Sequence, residues 1–454
     1  MFKPNTAAPM KATALWVALL ITSTGACNGR TPDLATTPTV AANAAPAEHS
    51  CFWDGPWVRE DPARSYAYPD TGAAYWAARL RLPDGATLLQ LQGDYPQARY
   101  ASLVLYDADG APTDALHDAL IQPDAGSRNP FIDGAERSAW PRRWTVQVRA
   151  EAVPARRAAN TLYAGPEQRD IALLYRVYVP DEGRGRTGGV DLPQAQLRLA
   201  DGRLLAADDS CARAEVNREA MPNTVAPRAA YLLARERPLK AGALPDAFPA
   251  TQPLQWHAFY DARVVAACAY LGECGGQPER KGGVYSNPDN AYLWAMTSRR
   301  LGPVLVLQGT MPRVPATRSG RARFQAGDLR YWSLCNYEAY TQRASACVYD
   351  EQVPLDAKRR YTVVVSRAAD RPRNARAECG VAWVDWGEAG DGAGHDDDGM
   401  LFLRNMLPSP GFAQAVQNTR TPGDEAAVLG DYLPRADYTD TAGFEQRGCS
   451  KPSR

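Results

Sequence analysis

Within its 454 residues the chain repeats itself once. Leu88-Leu-Gln-Leu-Gln-Gly93-Asp-Tyr-Pro96 returns as Val304-Leu-Val-Leu-Gln-Gly309-Thr-Met-Pro312. Just upstream, Tyr68-Pro-Asp and Tyr75-Trp76 echo Tyr285, Pro288-Asp289, Tyr292 and Trp294. Downstream, Arg99-Tyr100-Ala-Ser102-Leu103 matches Arg330-Tyr331-Trp-Ser333-Leu334, and Trp144-Thr-Val-Gln-Val148 matches Tyr361-Thr-Val-Val-Val365. Leu173-Leu-Tyr-Arg176-Val-Tyr-Val-Pro180 then matches Leu401-Phe-Leu-Arg404-Asn-Met-Leu-Pro408. Chance does not produce five segments in one order at a nearly constant offset. Each copy must therefore fold into the same unit.

The repeated segments are short, apolar or β-branched, and end at Gly, Pro or Asp-Gly turns. Long amphipathic helices do not alternate with them, which excludes a parallel α/β sheet and leaves antiparallel strands. The expectation is an all-β protein: two tandem antiparallel sandwiches of jelly-roll type, at 50–215 and 251–450, with a helical link at 216–250. Tyr260–Cys268 is a second helical candidate. The two copies differ most in their loops. The first expands between Asp107 and Trp144, the second between Arg313 and Gly327. Function is expected in such loops, because a shared scaffold leaves them free to vary.

The first residues read as an address. Lys11 precedes the apolar run 12–21, and small residues lead to Gly25-Ala26-Cys27. This resembles a bacterial lipoprotein signal over 1–27, with Cys27 lipidated, followed by an Ala-, Thr- and Pro-rich tether at 28–48. Cysteine parity agrees. Removing Cys27 from nine leaves eight, which suits disulfides in an oxidising compartment. The expected pairs are Cys51–Cys211, Cys268–Cys274, Cys335–Cys347 and Cys379–Cys449. The chain is thus expected to be exported and held in the cell envelope by a lipid, at the outer membrane as Asn28 suggests. Its only membrane partner would be the one reached through that anchor.

One stretch supports a further resemblance. Tyr100-Ala-Ser-Leu-Val-Leu-Tyr-Asp107, Asn160-Thr-Leu-Tyr-Ala-Gly-Pro166, Leu174-Tyr-Arg-Val-Tyr-Val-Pro180 and Leu192-Pro193 resemble a bacterial domain family of unknown function. That family has an aromatic-Trp-Ser-Leu-x-x-Tyr-Asp strand motif. The resemblance covers most of the first copy and part of the second. It implies a β-sandwich or jelly roll and carries no activity.

Chemistry is harder to locate. Lys plus Arg and Asp plus Glu are 51 each, so the basic excess of a nucleic-acid binder is missing. The chain has four His and no Gly-x-Ser-x-Gly elbow. Gly183-Arg-Gly185-Arg-Thr-Gly188 imitates a phosphate loop but is not followed by a helix pattern. No cofactor is expected, with one exception. The acidic loop 385–398 could hold Ca2+ through Asp391, Asp396 and Asp398, since clustered carboxylates supply hard oxygen ligands. Its competitors are a solvated hairpin and acid/base chemistry.

Two further groups are candidates for ligand binding. Tyr75, Trp76, Tyr292 and Trp294 could stack on sugar faces or could simply fill the cores. Arg176 and Arg404 each stand four residues before a strand-ending Pro, in otherwise apolar runs. A buried charge needs partners, so each is expected to meet a carboxylate or carbonyls from a neighbouring strand. Alternatively both point into equivalent pockets and fork onto an acidic ligand. The leading functional expectation is a ligand-binding envelope lipoprotein, with a glycan or an envelope protein as partner. Its rivals are a carboxylate-dependent polysaccharide hydrolase or lyase, and a structural assembly protein.

Overall fold

The computed structural model describes residues 51–449 apart from 58–64, 66, 84–85, 167, 217–224, 237–249, 269–272 and 274–276. The signal, the tether and Cys27 lie outside the described residues. The first copy contributes β1 (Asp54–Trp57), β2 (Ala73–Arg81), β3 (Ala86–Asp94), β4 (Ala98–Tyr106) and β5 (Pro112–His117). It continues with β6 (Arg143–Arg149), β7 (Thr161–Tyr163), β8 (Asp170–Pro180) and β9 (Gln194–Leu199). The second contributes β10 (His257–Ala258), β11 (Asn290–Ser298), β12 (Val304–Thr310), β13 (Tyr331–Tyr337) and β14 (Ala344–Tyr349). It ends with β15 (Arg360–Ser366), β16 (Val381–Asp385), β17 (Asp398–Met406) and β18 (Arg435–Thr439).

The expected all-β architecture of two sandwiches is what these strands build. One sheet runs β1-β2-β8-β4-β5 and its partner β7-β6-β3-β9. The second copy repeats both orders as β10-β11-β17-β13-β14 and β16-β15-β12-β18. Even the exceptions coincide: pairing is antiparallel save for β6 with β7 and β15 with β16. Helices are short. They include α1 (Ala207–Arg213) and α2 (Arg228–Glu236), the latter within the anticipated link, and α3 (Ala262–Ala266) at the second candidate. None is long and apolar enough to cross a membrane. Of the link's other candidate, Val216–Ala220, all but the first residue lies outside the described residues.

Burial separates the two kinds of sheet. On β6 buried residues alternate with half-exposed ones, as period-2 geometry requires of a strand with one wet face. On β8 every residue from Ile171 to Val179 is buried, and β17 is buried throughout. Ile171, Leu173, Tyr175 and Val177 point into the first sandwich core. Their neighbours need a second cover, and the other copy supplies it. Ala73, Tyr100 and Tyr178 form one cluster with Tyr331, Tyr349 and Met406. The two five-stranded sheets therefore pack outer face to outer face.

Disulfides staple both copies. Cys51–Cys211, Cys335–Cys347 and Cys379–Cys449 are formed, with Cα separations of 6.1, 4.0 and 4.6 Å. Cys268 is disulfide-bonded too, while Cys274 lies outside the described residues.

Candidate functional site

Three strands in each copy carry the same rank of side chains across the shared face. Register sets Tyr75 on β2 beside Arg176 on β8 and Arg176 beside Ser102 on β4. In the second copy Tyr292 on β11, Arg404 on β17 and Ser333 on β13 stand in the same rank. Both guanidiniums are buried, Arg176 at 2% exposure and Arg404 at 3%. Each donates to a tyrosine hydroxyl from its own copy, Tyr106 for Arg176 and Tyr337 for Arg404. Each also lies over two rings: Tyr75 and Tyr106 at 5.9 and 5.6 Å, Tyr292 and Tyr337 at 5.5 and 5.6 Å.

The copies then exchange loops. Arg404 Nη2 donates to the carbonyl of Tyr68, 2.6 Å away in the first copy. Arg176 Nη2 donates to the carbonyl of Tyr285, 2.8 Å away in the second. Tyr68 and Tyr285 hold matching left-handed backbones at φ 54° and 55°. Bulky residues avoid this conformation, and it persists only where the surroundings enforce it. Tyr68 and Tyr285 are pinned by backbone bonds from their own N–H groups to Gln342 and Gly110 of the opposite copy.

Reciprocal ion pairs hold this clasp. Arg99 of the first copy meets Asp350 of the second at 2.9 Å, both side chains fully buried. Arg330 of the second meets Asp118 of the first at 2.9 Å. Each aspartate also accepts a backbone N–H from the partner strand, Trp332 for Asp350 and Ala101 for Asp118. The unequal loops join in. Arg137 and Gly134 of the first copy's long loop bond backbone to backbone with Ala322 and Phe324 of the second copy's insertion. Phe324 is packed into the core of the first sandwich. Far from forming open loops around a site, the two expansions tie the copies together.

Between the ranks lies a cavity of about 70 Å3, lined by Arg176, Arg404, Asn287, five tyrosines (Tyr68, Tyr75, Tyr178, Tyr285 and Tyr292), Trp57 and smaller apolar groups. Burial and then nearby Asp70 push Tyr75 above the ordinary phenol range. Burial raises Tyr106 to about 12, against the pull of Arg176. A larger hollow of about 660 Å3 lies on the outer sheet of the second copy, where Arg360 is already paired with Asp356 at 2.7 Å.

The two halves of the cavity differ on a strand and on a loop: Arg404 Nη1 donates to Cys335 Sγ at 3.0 Å, where the first copy has Val104 at the matching place on β4. Asp70, from the exchanged loop, offers one carboxylate oxygen to Tyr331 at 3.0 Å. Its other oxygen takes Ser333 Oγ at 2.6 Å and lies 3.4 Å from Arg404 Nη1. The residue two after Tyr285, as Asp70 is two after Tyr68, is Asn287. Its amide donates to Tyr100 at 2.9 Å, and Tyr100 donates to Asp289 at 2.6 Å. Arg176 consequently has no carboxylate partner among the described residues, and its buried Nη1 has no hydrogen-bond partner.

Of the anticipated ligand-binding residues, Tyr75, Tyr292, Arg176 and Arg404 meet at this one cavity, not at two. The carboxylate or carbonyls expected for each arginine come from the other copy's loop and not from a neighbouring strand: Asp70 and the Tyr68 carbonyl for Arg404, the Tyr285 carbonyl for Arg176. Trp76 and Trp294 are elsewhere. Trp76 follows Tyr75, so strand alternation turns it into the first core. Trp294 packs in a satellite cluster with Met296 and Phe402 and stacks on His257 at 5.0 Å.

The three candidate calcium ligands are dispersed. Asp391 accepts from Tyr231 at 2.9 Å and pairs with His395 Nδ1 at 2.7 Å. Asp398 takes Arg235 and Ser298, and Asp396 is exposed. Among the described residues the one group with metal-ligating spacing is Asp70, Cys335 and Cys347, and its two sulfurs are already joined. Sequence reasoning did not identify Tyr68, Tyr285, Asp70 and Asn287. Their only signal was the echo of Tyr68 in Tyr285.

No family model and no curated protein matches the chain. Among solved structures it is similar to an uncharacterised protein from Burkholderia cenocepacia, at 16% identity and a TM-score of 0.46, over 87% of this chain and 85% of that one. It is also similar to a protein from Vibrio parahaemolyticus, at 10% identity and a TM-score of 0.37, over 83% of this chain and 91% of that one.

Proposed function

We propose that this protein is a binding protein of the bacterial cell envelope, exported and lipid-anchored at Cys27, whose ligand enters the cavity between its two sandwiches. The observation that carries this reading is the convergence of two buried arginines and a ring of tyrosines on one cavity. Buried charge costs free energy, and a fold maintains it there for a use. The disulfides support an oxidising compartment, in line with export. At about 70 Å3 the cavity is well below the roughly 300–1,000 Å3 of drug-sized sites, which favours one small polar group over a polysaccharide chain. A glycan ligand would then be held by a terminal substituent. The hydrolase reading lacks support here, since no Asp or Glu is among the lining residues.

Native mass spectrometry of the protein purified from envelopes tests this. A small molecule should remain bound, and Tyr75→Ala with Tyr292→Ala should remove it while the fold survives by circular dichroism. Export is tested separately. Cys27→Ser should abolish incorporation of labelled fatty acid and release the chain from membranes.

A further inference from the structure

We propose that the cavity takes a carboxylate-bearing small molecule, whose carboxylate sits against Arg176 Nη1 as that of Asp70 sits against Arg404. This rests on the cavity being a binding site and specifies its ligand. The second copy is an internal template. There an arginine on the central strand, a serine beside it and a tyrosine on the same face converge on one carboxylate. The first copy keeps all three as Arg176, Ser102 and Tyr100, and Ser102 is paired with Arg176 in register just as Ser333 is with Arg404. Tyr100 already donates to the Asp289 carboxylate, and what is missing is a carboxylate against the arginine, because Asn287 stands in place of the aspartate. Arg176 Nη1 is buried without a hydrogen-bond partner, and Arg176 lines an opening that Asn287 also lines.

A permanently charged guanidinium left so is among the costlier buried groups, and an anion from outside relieves it. The charge count selects a monoanion. Arg176 and Arg404 are the charged groups of the lining and Asp70 faces Arg404, so the charge of Arg176 remains, with Asp289 engaged by Tyr100. Nearby carbonyl oxygens of Tyr68 and Tyr285 would oppose a second negative charge.

Acetate and its neutral isostere acetamide are the probes, in thermal melts at constant ionic strength and in calorimetric titrations. The wild type should melt higher in acetate than in chloride, bind one acetate and ignore acetamide. Sulfate and phosphate should bind at least tenfold more weakly. Asn287→Asp supplies the missing carboxylate internally. It should melt higher than wild type without ligand and bind acetate at least tenfold more weakly. Asp70→Asn frees Arg404 and should raise the stoichiometry to two. Equal responses to acetate and acetamide, no response to either, or an unchanged acetate response in Asn287→Asp would overturn the proposal. A phosphate preference would overturn the monoanion assignment. If a native ligand is lost from the Tyr75/Tyr292 variant but persists in Asn287→Asp, the carboxylate inference fails and the binding reading stands. If no ligand depends on those tyrosines, the binding reading itself fails.

Discussion

Arg176 and Arg404 occupy equivalent places in equivalent sheets, yet only one is neutralised by the protein. Both have the tyrosine hydroxyl, the two rings and the carbonyl from the other copy. Only Arg404 has Asp70, and only its Nη1 has a sulfur acceptor, Cys335 Sγ at 3.0 Å. The difference arises in the exchanged loops and at one strand position, Cys335 against Val104, so the scaffold is conserved between copies while the charge balance is not. A duplicated fold can in this way keep one self-satisfied site for stability and leave its twin open for a ligand.

The comparison depends on the clasp, and the largest effect should come from breaking it. Arg99→Met leaves Asp350 buried without its cation and should cost about 3–5 kcal/mol in urea unfolding, the usual penalty for halving a buried pair. A loss below about 1 kcal/mol would mean the copies do not rely on that pair. Next, the two arginines should part company. Arg404→Met strands Asp70 and should cost about 3 kcal/mol, whereas Arg176→Met deletes an unbalanced charge and should change stability by less than about 1 kcal/mol. Equal losses would erase the asymmetry.

A smaller effect distinguishes the copies by pH. Half-buried His257, in the second copy only, is lowered by desolvation from 6.5 to about 4. The unfolded chain then binds the extra proton between those values. The stability His257 supports is complete above pH 6.5 and is lost as pH falls toward 4, on the order of 1–2 kcal/mol. Subtracting the pH profile of His257→Gln from that of wild type should isolate this loss. The smallest effect is expected at Arg313, whose pair with Asp328 is exposed on the arginine side. Arg313→Ala should leave the melting temperature unchanged, because water and salt screen such a pair. A clear drop would show that the insertion contributes more than its contacts with the first copy suggest.

Much of the architecture was legible because strands are written locally. Apolar runs bounded by turns, repeated in order, were enough for two antiparallel sandwiches, and cysteine parity with spacing was enough for the three described disulfides. Arg176 and Arg404 were visible as charges in apolar strands. Trp76 was misjudged as a companion of Tyr75 because adjacent residues of a strand face opposite ways. Asp391 and Asp398 resembled an ion site because a cluster in sequence does not reveal which donors the fold brings to each carboxylate.

The sequence by itself determined the duplicated strand pattern, the position of the paired arginines and the cysteines of the three described disulfides. All of these depend on residues near one another along the chain or on simple repetition. Only the tertiary structure decided that the sheets meet outer face to outer face, that Tyr68 and Tyr285 are exchanged, and that Asp70 faces Arg404 while Asn287 leaves Arg176 without a carboxylate among the described residues. Those contacts join residues more than a hundred positions apart. Their energy comes from burial and charge pairing across the interface, to which no local pattern of residues refers.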